Sequence, residues 1–241
     1  MAVAVAAFLL GVTKGGLSGL GPLLPLVVSF AVPTSVALGV LLPLLMIGDV
    51  LALWAHWRHW DGEIVRRILP GAALGVLVAS IFLQSVSDDG LRIFLAVSVL
   101  AFTCYRMAEP IIRARTALRE PKPIAGVWGW VAGGVSGVTS TVAHVGGPPL
   151  AVYLLSARVK PRPYVATSAA LFFFINWMKV PGYLAADLFD RELLVALAPA
   201  ALLILPGVLA GRWVVARIQQ RVFDWFIIGS LAVGAILLLI G

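Results

Sequence analysis

Apolar positions run along this chain in long blocks. They do not alternate as in a strand, nor form the narrow stripe of a surface helix. The blocks fall at about 2–31, 34–55, 64–84, 91–108, 124–156, 166–186, 192–215 and 224–240. Six are continuous and have about the length of a spanning helix. The first and fifth are longer, and each is interrupted in its middle. The first interruption is Thr13-Lys14-Gly15-Gly16-Leu17-Ser18-Gly19-Leu20-Gly21-Pro22. The second is Gly133-Gly134-Val135-Ser136-Gly137-Val138-Thr139-Ser140-Thr141, continuing through His144 to Gly146-Gly147-Pro148-Pro149. Glycine costs about 1 kcal/mol in a helix interior and proline about 3. Neither stretch is expected to be a plain helix.

Composition sharpens this into a class. Of 241 residues, 61% are hydrophobic and 12% charged, too apolar for the surface of a soluble enzyme or for a disordered chain. The length allows about eight membrane elements and no soluble domain beside them. The N-terminal MAVAVAAFLLG carries no basic residue before its apolar run and reads as part of the first membrane element. The net charge of +7 fits basic cytoplasmic loops better than a nucleic-acid partner. The lone Cys104 sits in an apolar run and reads as a structural thiol. Three histidines and one cysteine show no metal-ligand spacing, and no cofactor motif is present.

The two halves of the chain resemble each other. Residues 70–100 align without a gap on 206–236, sharing Pro-Gly-x-x-x-Gly at 70–75 and 206–211 and Gln-x-Val-x-Asp at 84–88 and 220–224. Thr34-Ser35 recurs as Thr167-Ser168. The polar stretch between the halves divides the chain into a first repeat at 1–112, a cytoplasmic linker at 113–123 and a second repeat at 124–241.

Loop charge sets the orientation. The linker region is basic, so it is cytoplasmic, as is the loop with Arg58, Arg66 and Arg67; the loop with Asp88 and Asp89 is external. If the fifth block crossed once, Arg158, Lys160 and Arg162 would lie outside and Asp187, Asp190 and Glu192 inside. The conflict vanishes if the block enters, breaks and returns. Two half-helices of about 10 residues each match its length. The expected fold is therefore an all-α integral membrane protein of two inverted repeats. Each repeat has one re-entrant hairpin and three spanning helices, as in many secondary transporters.

Broken backbone at membrane depth is tolerated where it is buried in protein or lines a cavity. Pro22 and Pro148 each suit the first turn of a returning helix. Free N–H groups at such openings attract anions. Gly19, Gly21, Gly146 and Gly147 would supply the turns, and Ser18 and Thr141 hydroxyl donors. Lys14 lies deep in the first break. Asn176 and Lys179 share one face of a later segment. An imidazole ordinarily titrates near neutrality, so His144 is a candidate for proton coupling or for a switchable anion contact. Asp49 falls opposite 178–182 in the repeat, so a buried Asp49–Lys179 pair is expected, with Asp49 as a second proton-coupling candidate.

The sequences Thr141-Val-Ala-His144-Val-Gly-Gly-Pro-Pro149 and Asn176-Trp-Met-Lys179-Val-Pro181-Gly-Tyr183 resemble the second half of the TauE/SafE family of sulfite exporters and sulfonate permeases. Gly15-Gly-Leu-Ser-Gly-Leu-Gly21 resembles its first half. The resemblance implies transport of sulfur-containing anions such as sulfite, thiosulfate or sulfoacetate, linked to protons, in the bacterial inner membrane. Many relatives carry Gly-x-Gly-Gly in the first turn, whereas here Gly21 runs directly into Pro22. A homodimer stays open, as does a channel built from the same residues. From another class, Ser140 and His144 are four apart, the spacing of a serine–histidine dyad on a helix, which leaves an intramembrane serine-type hydrolase as an alternative.

Overall fold

The computed structural model describes residues 2–14, 21–118, 126–188, 191–215, 217 and 220–240. Among these are eleven helices and no strand. The first half contains α1 (Ala2–Lys14), the short α2 (Leu23–Ser29), α3 (Thr34–Ala55), α4 (Gly62–Leu83) and α5 (Asp88–Leu118). The second contains α6 (Gly126–Ala143), the short α7 (Gly147–Ser156), α8 (Pro161–Ala185), α9 (Arg191–Ala201), α10 (Ile204–Val215) and α11 (Gln220–Ile240). Thr34–Ala55, Gly62–Leu83, Asp88–Arg115 and Glu192–Gly211 are long and apolar enough to cross a membrane. The chain is an all-α membrane protein. At 25 residues α8 has the length as well, but polar residues, Asn176 and Lys179 among them, lower its hydropathy.

The halves interlock. α6 packs along α4, and α1 packs along α10, so the leading helix of each half rests on the other half. Lipid tails are as apolar as leucine, so burial alone does not hold helices together in a bilayer; close backbone approach does. Both interfaces are built that way. A Cβ on Gly71 would stand 2.0 Å from the Trp130 carbonyl oxygen, and one on Gly133 would stand 2.2 Å from that of Ile68. On the α1–α10 side, a Cβ on Gly11 would meet the Ile204 oxygen at 2.1 Å, and one on Gly207 the Phe8 oxygen at 2.2 Å. The repeated Pro-Gly-x-x-x-Gly frames thus mark helix contacts.

This corrects the expected extent of the second break. Residues 133–143 are helical, because the glycines that weaken α6 locally are where α4 approaches it. The break shrinks to His144–Gly146, and α6, at 18 residues, is longer than the expected half-helix. The first break's 15–20 lie outside the described residues. Two further expectations shift. The block 192–215 is not one helix: it is interrupted at Leu202–Leu203, between Pro199 and Pro206, each of which removes a backbone donor. The polar stretch from Arg113 begins as helix, since α5 runs to Leu118 with Glu109 holding Arg106 and Arg113 on its own face.

Helix ends are tied across elements. The Asp88 carboxylate accepts the N–H groups of Thr34 at 3.1 Å and Ser35 at 2.8 Å, capping α3 from α5. Thr167 does not head its helix as Thr34 does; it lies inside α8, and its Oγ1 accepts the Asp61 N–H at 2.9 Å. Cys104 lies on the exposed face of α5, so it is not an interior structural thiol.

Candidate functional site

α1 and α6 both end where a polar cluster begins. α1 stops at Lys14, with the cation in its last turn. α6 stops at Ala143, and His144 turns the chain with φ +54°. That left-handed conformation costs a side-chain-bearing residue about 1–2 kcal/mol and belongs more naturally to glycine. The turn is clamped from behind, where the Ser136 hydroxyl donates to the Gly146 carbonyl at 2.7 Å. Strain of this kind persists where the surroundings over-determine it, and here it aims an imidazole into the interior.

From Lys14 to Leu38 runs a chain of polar contacts. Lys14 Nζ donates to Asp49 Oδ1 at 2.8 Å. Asn176 Nδ2 donates to the other carboxylate oxygen at 2.6 Å. Asn176 Oδ1 accepts from Lys179 Nζ at 2.7 Å. Lys179 Nζ lies 3.3 Å from His144 Nδ1, and His144 Nε2 lies 3.1 Å from the Leu38 carbonyl oxygen. Asp49, Asn176 and Lys179 are buried. The expected direct Asp49–Lys179 pair is replaced by an amide between them, because Lys14 reaches Asp49 first. Space for Lys14 comes from Gly48, where a Cβ would stand 2.9 Å from Lys14 Cε.

A cavity of about 240 Å³ lies against this chain, bordered by both breaks at once. Gly21 and Pro22 line it from the first break, His144 and Gly147 from the second, and Lys14, Asp49 and Asn176 from the helices between. Gly147 opens α7 and leaves open space where a side chain would stand. Pro148 and Pro149 follow it without backbone donors, so the anion-attracting N–H groups of this turn are concentrated at Gly146 and Gly147.

The other candidates are arranged differently. Lys179 is fully buried and stands behind Asn176, away from the lining. The Thr141 hydroxyl donates to the Gly137 carbonyl at 2.7 Å, and the Thr141 carbonyl accepts from Tyr183 Oη at 2.6 Å, so both its groups are turned into the protein. Gly146 is packed against Ser136 and Ser140 behind the cavity wall. Ser18 and Gly19 lie outside the described residues. Thr13, Phe102 and Phe172 line the cavity without having been singled out. A threonine beside Lys14 was a usable signal; a phenylalanine in an apolar run gives none. The ring nitrogens of His144 lie against Lys179 Nζ and the Leu38 carbonyl oxygen, so the contacts the imidazole makes are not those of a serine–histidine dyad. Among the described residues no group of His, Cys, Asp and Glu could hold a metal ion.

The Lys179–His144 and Tyr183–Thr141 contacts tie the Thr141–Pro149 and Asn176–Tyr183 motifs into one cluster. A family model described as Sulfite exporter TauE/SafE matches residues 2–238. This chain belongs to the TauE/SafE family. No curated relative and no solved structure matches it. As a TauE/SafE member the chain is a multi-pass membrane protein of an anion-transporter family.

Proposed function

We propose that this TauE/SafE protein is a secondary transporter of a small sulfur-containing anion: sulfite, thiosulfate or an organosulfonate such as sulfoacetate. It works in the bacterial inner membrane and couples the anion to protons. The observation that carries the reading is a cavity lined from both interrupted stretches, by Gly21 and Pro22 on one side and His144 and Gly147 on the other, with Lys14 on its wall. Lys14 supplies charge, Gly147 supplies the N-terminal end of α7, and Asn176 supplies a neutral amide. Phe102, Phe172 and Leu45 give the same cavity an apolar side that suits a carbon tail. At about 240 Å³ it exceeds a water molecule's share of about 30 Å³ severalfold. The two halves are read as inverted repeats, since equivalent loops carry opposite charge: Arg58 follows α3 where Asp187 follows α8.

Thermal shift of purified protein with sulfite, thiosulfate and sulfoacetate tests the substrate class. At least one is expected to stabilise the wild type and to lose its effect in Lys14→Met. No shift with any of the three would sink this reading. Counterflow in proteoliposomes is expected, and its absence beside rapid downhill flux would make the protein a channel.

A further inference from the structure

Lys14 and Asp49 are 35 residues apart in sequence, and so are His144 and Lys179. Shifting the first pair by 130 positions gives the second. Each pair joins the end of a leading helix, α1 or α6, to the middle of a long helix, α3 or α8. The chemistry of the two pairs differs. Lys14 and Asp49 cancel each other's charge. His144 and Lys179 are both bases, and the residue equivalent to Asn176 in the first half is Met46, which has no polar group to make such a link.

Hydrogen-bond chemistry limits what the second pair can hold. A carbonyl oxygen only accepts, so His144 Nε2, at 3.1 Å from Leu38 O, carries a proton. An ammonium only donates, so a charged Lys179 requires a bare Nδ1 on the ring, and an Nδ1–H requires an uncharged amine. With both protonated, two N–H groups would oppose each other across 3.3 Å inside the protein.

We propose that His144 and Lys179 form one proton-binding site that holds a single exchangeable proton, loaded from the cavity through the imidazole, and that its filling tightens anion binding. This rests on the transporter reading above. His144 borders the cavity and Lys179 does not, so the proton passes by way of the ring: a hydronium ion in the cavity gives its proton to Nδ1 and is left as water, and the Nδ1–H bond then breaks as the Nζ–H bond forms. With Lys14 and Asp49 balanced, the cluster carries one positive charge when the site is filled and none when it is empty. Asn176 fixes both ends, donating to Asp49 and accepting from Lys179. Among the described residues, the charged or titratable groups facing the site are few. α1 brings Lys14, α3 brings Asp49, and α8 brings Tyr183, whose ring lies 6.1 Å from that of His144. α7 brings Tyr153, buried among apolar side chains. The charged residues of α4 are Glu63, Arg66 and Arg67, all in its first two turns.

The test measures thiosulfate affinity between pH 5 and 8.5, because that anion stays ionised throughout. In the wild type the affinity is expected to fall about tenfold per pH unit over the window in which one linked proton leaves. Lys179→Arg keeps the cation but cannot release its proton, so binding is expected to persist with less than a twofold change. A wild-type slope in Lys179→Arg, or a flat profile in the wild type, overturns the proposal. A second arm needs no anion. In a His56→Gln/His59→Gln background, nitrogen NMR of labelled histidine reports His144 alone. His144 is expected to be neutral with its proton on Nε2, and in Lys179→Met to charge at a pH where it stays neutral beside Lys179. Identical titration with and without Lys179 overturns the shared site. If thiosulfate does not bind the wild type, it is not the substrate, and failure of sulfite and sulfoacetate as well would sink the transport reading; this arm still decides the proton site.

Discussion

A methyl group at position 48 would stand 2.9 Å from Lys14 Cε, a flexible atom that can give way. Gly48→Ala is therefore expected to keep the Lys14–Asp49 contact, whereas the branched Gly48→Val pushes the lysine off and weakens anion binding about tenfold, near 1.4 kcal/mol. Isothermal titration of both variants checks this. Lys14→Met strands Asp49, which is 2% exposed, with only the Asn176 amide. Breaking a buried pair costs about 3–5 kcal/mol, and Lys14, at 28% exposed, places the expected loss near 3. Adding Asp49→Asn should recover part of that loss in a denaturant titration; no recovery would show the two side chains to be uncoupled. At the turn, His144→Gly should be about 1 kcal/mol more stable than His144→Ala, since φ is +54° there. These polar residues were legible in the sequence because each is expensive in an apolar block and so must find a partner. Which partner was not legible. Asp49 meets Lys14 and not Lys179 because α1 lies against α3, and spacing along the chain does not encode that. Thr141 has the composition of an anion ligand, but its hydroxyl goes back to Gly137.

At the scale of elements, the α4–α6 contact makes opposite predictions for neighbouring glycines. Gly71→Ala places a methyl 2.0 Å from the Trp130 carbonyl oxygen, which is backbone and cannot move aside. The helices must separate, and loss of folded protein is expected on size-exclusion chromatography. Gly134→Ala meets its nearest atom, the Gly71 oxygen, at 3.6 Å, an ordinary contact. It should be tolerated, or gain up to about 1 kcal/mol from helix propensity. Equal behaviour of the two variants would mean that close approach does not hold this interface. The same contact explains why the extent of the second break was misjudged. Glycine weakens a helix in isolation, but it is also what two helices need in order to touch, and one sequence cannot separate these uses. The interruption at Leu202–Leu203 was hidden for the converse reason. Its residues are apolar, and Pro70 at the equivalent place leaves α4 continuous.

At the scale of the whole molecule, loop charge makes the sharpest prediction, that the fifth block returns to its own side of the membrane. Single cysteines at Arg58, Arg158 and Asp187 test this in a Cys104→Ser background, needed because Cys104 is exposed. An impermeant maleimide is expected to label Asp187→Cys on intact cells, and Arg58→Cys and Arg158→Cys only after permeabilisation. Labelling of Arg158→Cys from outside would remove the inverted arrangement. The exchange of partners between halves also bears on how the protein is made. Lys14 ends α1 and Ile204 opens α10, so roughly 190 residues must be synthesised before α1 meets the helix it is shaped for. At about 5–20 residues per second this takes on the order of 10–40 s. Through that interval Gly11 presents bare backbone to lipid or to the insertion machinery. A nascent chain halted after α5 would hold α1 without α10 and α4 without α6. The first half is thus an assembly intermediate, completed only when the last quarter of the chain reaches the bilayer.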